Sequence, residues 1–151
     1  MSVSVQANRQ RTVEVHRDLF AGDAASGSLR FEAYVQPGRD AVAAHWLYTA
    51  EQTGPNGAEA YVARFGPGAH GDLQRHLGFE VLFVLEGELR NDNGDVYGPG
   101  TLVVERPGSV HRVSSASGCV MLVVREKRTI PLAPGESPED TPFPLSGRPT
   151  R

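Results

Sequence analysis

Gln74, His76 and Glu80 share one parity within GAHGDLQRHLGFEVLFVLEG, residues 68–87. In an extended strand, residues two apart project to the same face. An imidazole, a carboxylate and a carboxamide would therefore line one side of the chain. His111 ends the run Arg106-Pro107-Gly108-Ser109-Val110-His111 and completes the set if its strand lies opposite. His76, Glu80 and His111 are a two-histidine, one-carboxylate group suited to a divalent cation with open positions. Fe(II) is favoured for such a set, and Zn, Mn or Ni accept the same donors. Gln74 can offer its amide oxygen as a weak neutral ligand, or leave that position to water or substrate. His70 and Asp72, upstream on the same parity, are reserve ligands. Without a metal, His76, Glu80 and His111 would form a hydrogen-bonded cluster in a small-molecule pocket, with acid/base roles open to each.

The elements that must carry these residues are short strands. Val81-Leu82-Phe83-Val84-Leu85 is β-branched and apolar and stops at Gly87, the pattern of a strand. Further strands are expected over residues 12–16, 29–35, 42–49, 59–65, 88–90, 96–97, 101–105, 110–113 and 119–125. Gly54-Pro55-Asn56-Gly57, Gly66-Pro67-Gly68, Asn91-Asp92-Asn93-Gly94, Gly98-Pro99-Gly100 and Pro107-Gly108 punctuate them. The absence of a helical repeat and the regular turns point to an all-β barrel or sandwich. Cys119–Arg125 is apolar on both faces and reads as a central strand. Leu82 and Val84 share the ligands' parity and should line the interior. Val81, Phe83 and Leu85 face the other way and need a cover, either a second layer or a second subunit, so a homodimer is expected. Residues 1–11 read as a flexible N-terminus, 12–130 as the barrel, and 131–151 as a Pro/Gly-rich tail without its own core.

The remaining residues have plainer readings. His16 and His45 lack a spacing partner and read as surface or packing groups. Trp46, Tyr48, Tyr61, Phe65 and Phe79 are core by default, with one or two at a cavity mouth. Cys119 reads as inert packing, Arg64 and Arg112 as solvated, and Glu86 and Glu88 as exposed. A chain of 151 residues is enough for one domain with a real core. A net charge of −3 does not mark a nucleic-acid binder. One cysteine permits no internal disulfide, which suits the cytoplasm. No apolar run is long enough for a membrane span, and the first residues carry no signal-peptide core.

The motifs resemble those of the cupin superfamily. Its first motif, G-x5-H-x-H-x3-E-x6-G, is matched in spacing by Gly68, Gln74, His76, Glu80 and Gly87, with Gln74 where the family usually has histidine. Its second ends in P-x-G-x-x-H, and Gly108 and His111 keep that spacing, with Arg106 in the proline place. Residues 58–124 are most similar to small single-domain cupins akin to the ChrR-type anti-sigma factor domain and to small metal-dependent dioxygenases. The resemblance implies a single-domain cupin, a double-stranded β-helix or jelly-roll barrel, with His76, Glu80, His111 and Gln74 around a metal. It implies an enzyme acting on a small organic substrate, either a dioxygenase or a Lewis-acid isomerase or cyclase. The alternatives are a metal-free cyclase or isomerase, and a small-molecule-binding or sensor module. The helical zinc-binding domain that precedes the cupin part in such anti-sigma factors has no counterpart pattern here.

Overall fold

The computed structural model describes residues 12–20, 27–55 and 57–141. The expected N-terminal segment 1–11 and the last ten residues of the expected tail lie outside these. The strands are β1 (Glu32–Ala33), β2 (Asp40–Tyr48), β3 (Glu59–His70), β4 (Gln74–His76), β5 (Glu80–Gly87), β6 (Leu89–Asn91), β7 (Val96–Tyr97), β8 (Leu102–Glu105), β9 (Val110–His111), β10 (Val113–Ser115), β11 (Cys119–Arg125) and β12 (Thr129–Pro131). One helical turn, α1 (Ala50–Thr53), follows β2. The fold is all-β, as expected. A nine-stranded sheet runs β7-β6-β10-β3-β11-β5-β8, with β2 also on β3 and β1 on β2. β12, β4 and β9 form a second sheet of three strands.

Alternation decides what lies inside. β11 sits between β3 and β5, with Val123 paired to Tyr61 and to Leu82. Tyr61, Ala63 and Phe65, then Leu82 and Val84, then Cys119, Met121 and Val123 all turn inward to one buried core. The next inward residue on each strand is polar: Glu59, Glu80 and Arg125, which are also in register. The apolar interior thus gives way to a charged row.

Several expectations are corrected. Residues 12–16 form no strand; side-chain bonds rather than a ladder hold them, from His16 and His45 to Glu14. The strand expected over 29–35 shrinks to β1, although Leu29 is buried. Tyr48 and Phe79 are exposed rather than core. Part of the outward face of β5 finds cover within the chain. Leu85 packs with Leu29, Val62 and Val120, with Leu19, Phe31 and Phe83 against them, and Phe20 meets Phe83 edge-on with ring centroids 5.9 Å apart. Leu102 and Val104, opposite Phe83 and Val81 on the edge strand β8, stay exposed. The 130/131 boundary falls inside β12. Residues beyond β12 lie against the small sheet: Thr141 N–H donates to the Gly108 carbonyl at 3.0 Å, and Val110 N–H to Asp140 Oδ1 at 2.8 Å.

Gly87 closes β5 at φ 74°, where a Cβ would stand 2.1 Å from the Gly118 carbonyl oxygen. Gly94 has a similar φ of 98° but open space around it. Both alanine substitutions strain the backbone, by roughly 1–2 kcal/mol for a left-handed non-glycine residue. Only Gly87→Ala must also push a neighbouring strand aside. Thermal melts of the two variants should show a clearly larger loss of stability for Gly87→Ala; equal losses would mean that strand contact is unimportant.

Candidate metal centre

β4 and β9 lie side by side, with Gln74 opposite His111 and Arg75 opposite Val110. The turn before β9 clamps His76. The Ser109 carbonyl accepts the His76 backbone N–H at 2.9 Å and lies 3.1 Å from its Nδ1, while Gly108 N–H donates to the His76 carbonyl at 2.8 Å. The carbonyl can only accept, and the Ser109 hydroxyl, also 3.1 Å from Nδ1, can accept as well, so a proton on Nδ1 satisfies both. Nε2 then presents its lone pair inward, with no hydrogen-bond partner and the side chain only 1% exposed. A backbone carbonyl that fixes the tautomer in this way is the usual support for a metal-ligating histidine.

That lone pair faces the other two candidates. His76 Nε2 lies 3.4 Å from Glu80 Oε2, and the His76 and His111 rings meet edge-on with centroids 4.6 Å apart. One ligand atom from each of His76, Glu80 and His111 fits within 4.8 Å of the others, and all three residues are buried. The residues fit a divalent cation, since two imidazoles and a carboxylate converge with a buried nitrogen left bare. Burial opposes charge on His76, but the Glu80 carboxylate 3.4 Å away outweighs it and raises the histidine's pKa. The site therefore draws positive charge onto Nε2, a demand that a proton or a metal meets. Burial also pushes the Glu80 carboxyl upward, yet Arg125, His76 and His111 together hold it well below the usual carboxylate range.

The structure does not bring every candidate inward. Gln74 is buried at the site, where its Oε1 accepts the Thr129 hydroxyl at 2.9 Å. Asp72 is committed to Arg39, 2.9 Å away, and the His70 ring is bonded to the Gly71 carbonyl at 3.1 Å; neither belongs to the cluster. His16 and His45 gather around exposed Glu14. Because Arg30 N–H donates to His45 Nδ1 at 2.9 Å, the proton of His45 sits on Nε2 and is given to Glu14. This second cluster is a satisfied hydrogen-bond network, in line with a packing role. Cys119 is buried in the core, its thiol pushed up to about 11 by burial, which suits inert packing.

Three groups escaped the motif reading. Arg125 Nε donates to Glu80 Oε2 at 2.5 Å and Nη1 to Glu59 Oε1 at 3.0 Å, with the guanidinium 4% exposed. Its parity with Cys119, Met121 and Val123 was the available signal. Glu105 pairs with Glu80 across β5 and β8, and its Oε1 lies 3.0 Å from His111 Nδ1, outside hydrogen-bond geometry. Burial raises the Glu105 carboxyl, but His111 overcomes it and the net shift is downward. Arg39 lines the same cavity, and its Nε has no partner. That cavity is narrow, about 30 Å³, walled by Tyr61, Phe65, Leu82 and Met121 between the charged groups. It holds about one water. A wider basin of about 460 Å³, bounded by Tyr34, Arg128 and Ile130, shares Asp72 and Arg125 with it.

Comparison with known proteins places this geometry. The family model of the ChrR cupin-like domain matches residues 30–128. The chain belongs to that family. It is similar in fold to the polyketide cyclase RemF from Streptomyces resistomycificus, at 20% identity and a TM-score of 0.60, over 79% of this chain and 82% of that one. It is likewise similar to an acetylacetone dioxygenase from Acinetobacter johnsonii, at 10% identity and a TM-score of 0.63, with 85% of each chain covered. A putative acetylacetone dioxygenase from Methylibium petroleiphilum gives 11% and 0.64, over 84% of this cupin and 88% of that chain. No curated protein matches the sequence significantly. No helix among the cupin's described residues is long and apolar enough to cross a membrane.

Arg39 and Asp72 are 5% and 10% exposed. Asp72→Asn strands a buried guanidinium and should cost about 3 kcal/mol in urea unfolding, as loss of one partner of a buried pair does. Glu86→Gln, half-buried and away from the site, is the comparison and should change little.

Proposed function

We propose that this cupin is a metal-dependent enzyme acting on a small oxygenated organic molecule, with His76, Glu80 and His111 as ligands. The observation that carries the reading is the bare, buried Nε2 of His76, its tautomer set by the Ser109 carbonyl and its lone pair directed at Glu80 and His111. A bound divalent cation would act as a Lewis acid on a substrate carbonyl or, as Fe(II), support O₂ chemistry. The chain's residues supply the rest. Tyr61, Phe65, Leu82 and Met121 supply the apolar part of the cavity wall. Arg39 leaves an Nε–H available in the cavity wall, a donor suited to a carbonyl or enolate oxygen. Glu105 stands as a carboxylate on the strand beside Glu80 and could accept a proton from a carbon beside a carbonyl; Glu80 could do so only if displaced from the metal.

The likeness in fold to a polyketide cyclase and to acetylacetone dioxygenases supports substrates bearing closely spaced carbonyls, and both oxygenation and cyclisation remain within the proposal. Protein purified without chelators should contain about one metal ion per chain by elemental analysis, as a single three-ligand centre requires. His76→Ala and His111→Ala should each strip it, and Gln74→Ala should retain much of it. O₂ uptake on β-diketones and phenolic ketones, with mass analysis of the products, separates oxygenation from cyclisation. Metal-free wild-type protein that turns over these substrates would sink the metal reading.

We propose further that the enzyme is cytoplasmic and pairs with a second copy along β8, where Leu102 is 60% and Val104 54% exposed on a sheet edge. Light scattering should give twice the chain mass for the wild type and the single mass for Val104→Lys, a charge of the kind that blunts sheet edges. A monomeric wild type contradicts the pairing.

A further inference from the structure

One oxygen has two suitors. Glu80 Oε2 takes the Arg125 Nε–H at 2.5 Å, and the same oxygen lies 3.4 Å from the bare His76 Nε2. The carboxylate oxygen best placed to join His76 around a cation is already shared with a guanidinium. We propose that Arg125 is a positioning residue that sets the affinity of the His76/Glu80/His111 centre for a divalent cation, by competing for Glu80, with Glu59 setting the strength of that competition. The inference rests on the metal reading above.

The guanidinium has donors only and stays charged at any working pH. It cannot turn into an acceptor or step aside by losing a proton. Its side chain and that of Glu80 are 4% and 3% exposed, so bulk water screens the repulsion between Arg125 and an incoming cation poorly. Two like charges a few ångströms apart in such a site oppose each other by several kcal/mol or less, depending on the effective dielectric. Register holds the arrangement: Arg125 pairs with Glu80 on one side and Glu59 on the other. Glu59 Oε1 takes the Nη1–H at 3.0 Å and so draws part of the positive charge away from Glu80.

The two neighbours of Glu80's oxygen therefore predict opposite outcomes. Removing the charge of Arg125 leaves Glu80 wholly to the cation and removes a repelling charge. Removing the charge of Glu59 leaves Arg125 with Glu80 as its one remaining carboxylate and strengthens the competition. A merely structural role cannot produce this pattern, since each substitution breaks a buried ion pair and would loosen the site in the same direction.

The test is the affinity of the full chain for Zn²⁺, stripped of metal and titrated against a chromophoric chelator. Circular dichroism and thermal melts establish that each variant is folded. Arg125→Met should bind Zn²⁺ at least about tenfold more tightly than wild type, in keeping with loss of one nearby like charge. Glu59→Gln should bind it about three- to tenfold more weakly, by the same arithmetic. His111→Ala, which should abolish the binding, assigns it to this centre. If Arg125→Met does not fold, Glu59→Gln decides alone: unchanged or tighter binding overturns the proposal. Weakening in both variants overturns it in favour of a structural role. Failure of the wild type to bind Zn²⁺ at all removes the metal reading itself, whereas wild-type binding that both variants match removes only the role given to Arg125.

Discussion

The structure depends on a row of charge across three strands. Glu59, Arg125 and Glu80 meet in register on β3, β11 and β5, at the point where the barrel's apolar interior ends. A buried guanidinium costs several kcal/mol to desolvate unless it is paired and hydrogen-bonded. Two carboxylates meet that requirement, and the Tyr61 ring lies 5.2 Å from the guanidinium carbon as well. Because each partner is fixed by the ladder, the pairing also fixes register. A one-residue slip of β11 would turn Arg125 outward and bring the apolar side chain of Val124 to the carboxylates.

This row connects the core to the site. Glu80 belongs both to the ion-paired row and to the cluster with His76 and His111. The cluster's other half comes from the small sheet, where β4 and β9 hold His76 and the turn Gly108-Ser109 supplies the carbonyl that sets its tautomer. Gly108 is required there by shape as well as by its φ of 91°, since a Cβ would stand 2.6 Å from the Thr141 carbonyl. The residues beyond β12 thus help position a histidine dozens of positions earlier in the chain, through the Thr141 backbone and the Asp140 side chain. The centre is assembled from two sheets, and its precision comes from the ladders and turns rather than from the ligands themselves.

Membership of the ChrR cupin-like family accounts for the architecture, and a fold of this kind hosts many reactions. What individualises this chain is the set of groups around the three candidate ligands. Gln74 stands where the family usually has a histidine and is engaged by Thr129. Glu105 adds a second carboxylate beside Glu80, and Arg39 places an unpartnered donor in the cavity wall. The cavity sets the His111 imidazole and several fixed charges between apolar walls.

Much of this was legible in the chain. The spacing of His76, Glu80 and His111, the Gly87 stop and the Pro107-Gly108 turn are local signals; alternation along residues 80–85 told inside from outside, and the two-faced apolar run 119–125 marked a central strand. Local rules failed where side chains replaced ladders: residues 12–16 are anchored by Glu14, His16 and His45 without strand pairing, and Phe79 is exposed although aromatic. The sequence by itself determined the all-β fold and three residues able to share a cation, because both follow from short-range periodicity and donor type. Only the tertiary structure decided that Arg125 and Glu59 would flank Glu80, that Glu105 would stand beside His111, and that part of the outer face of β5 would be covered from within. Those contacts join residues dozens of positions apart, and register between strands is set by the packing of the whole sheet rather than by any one segment.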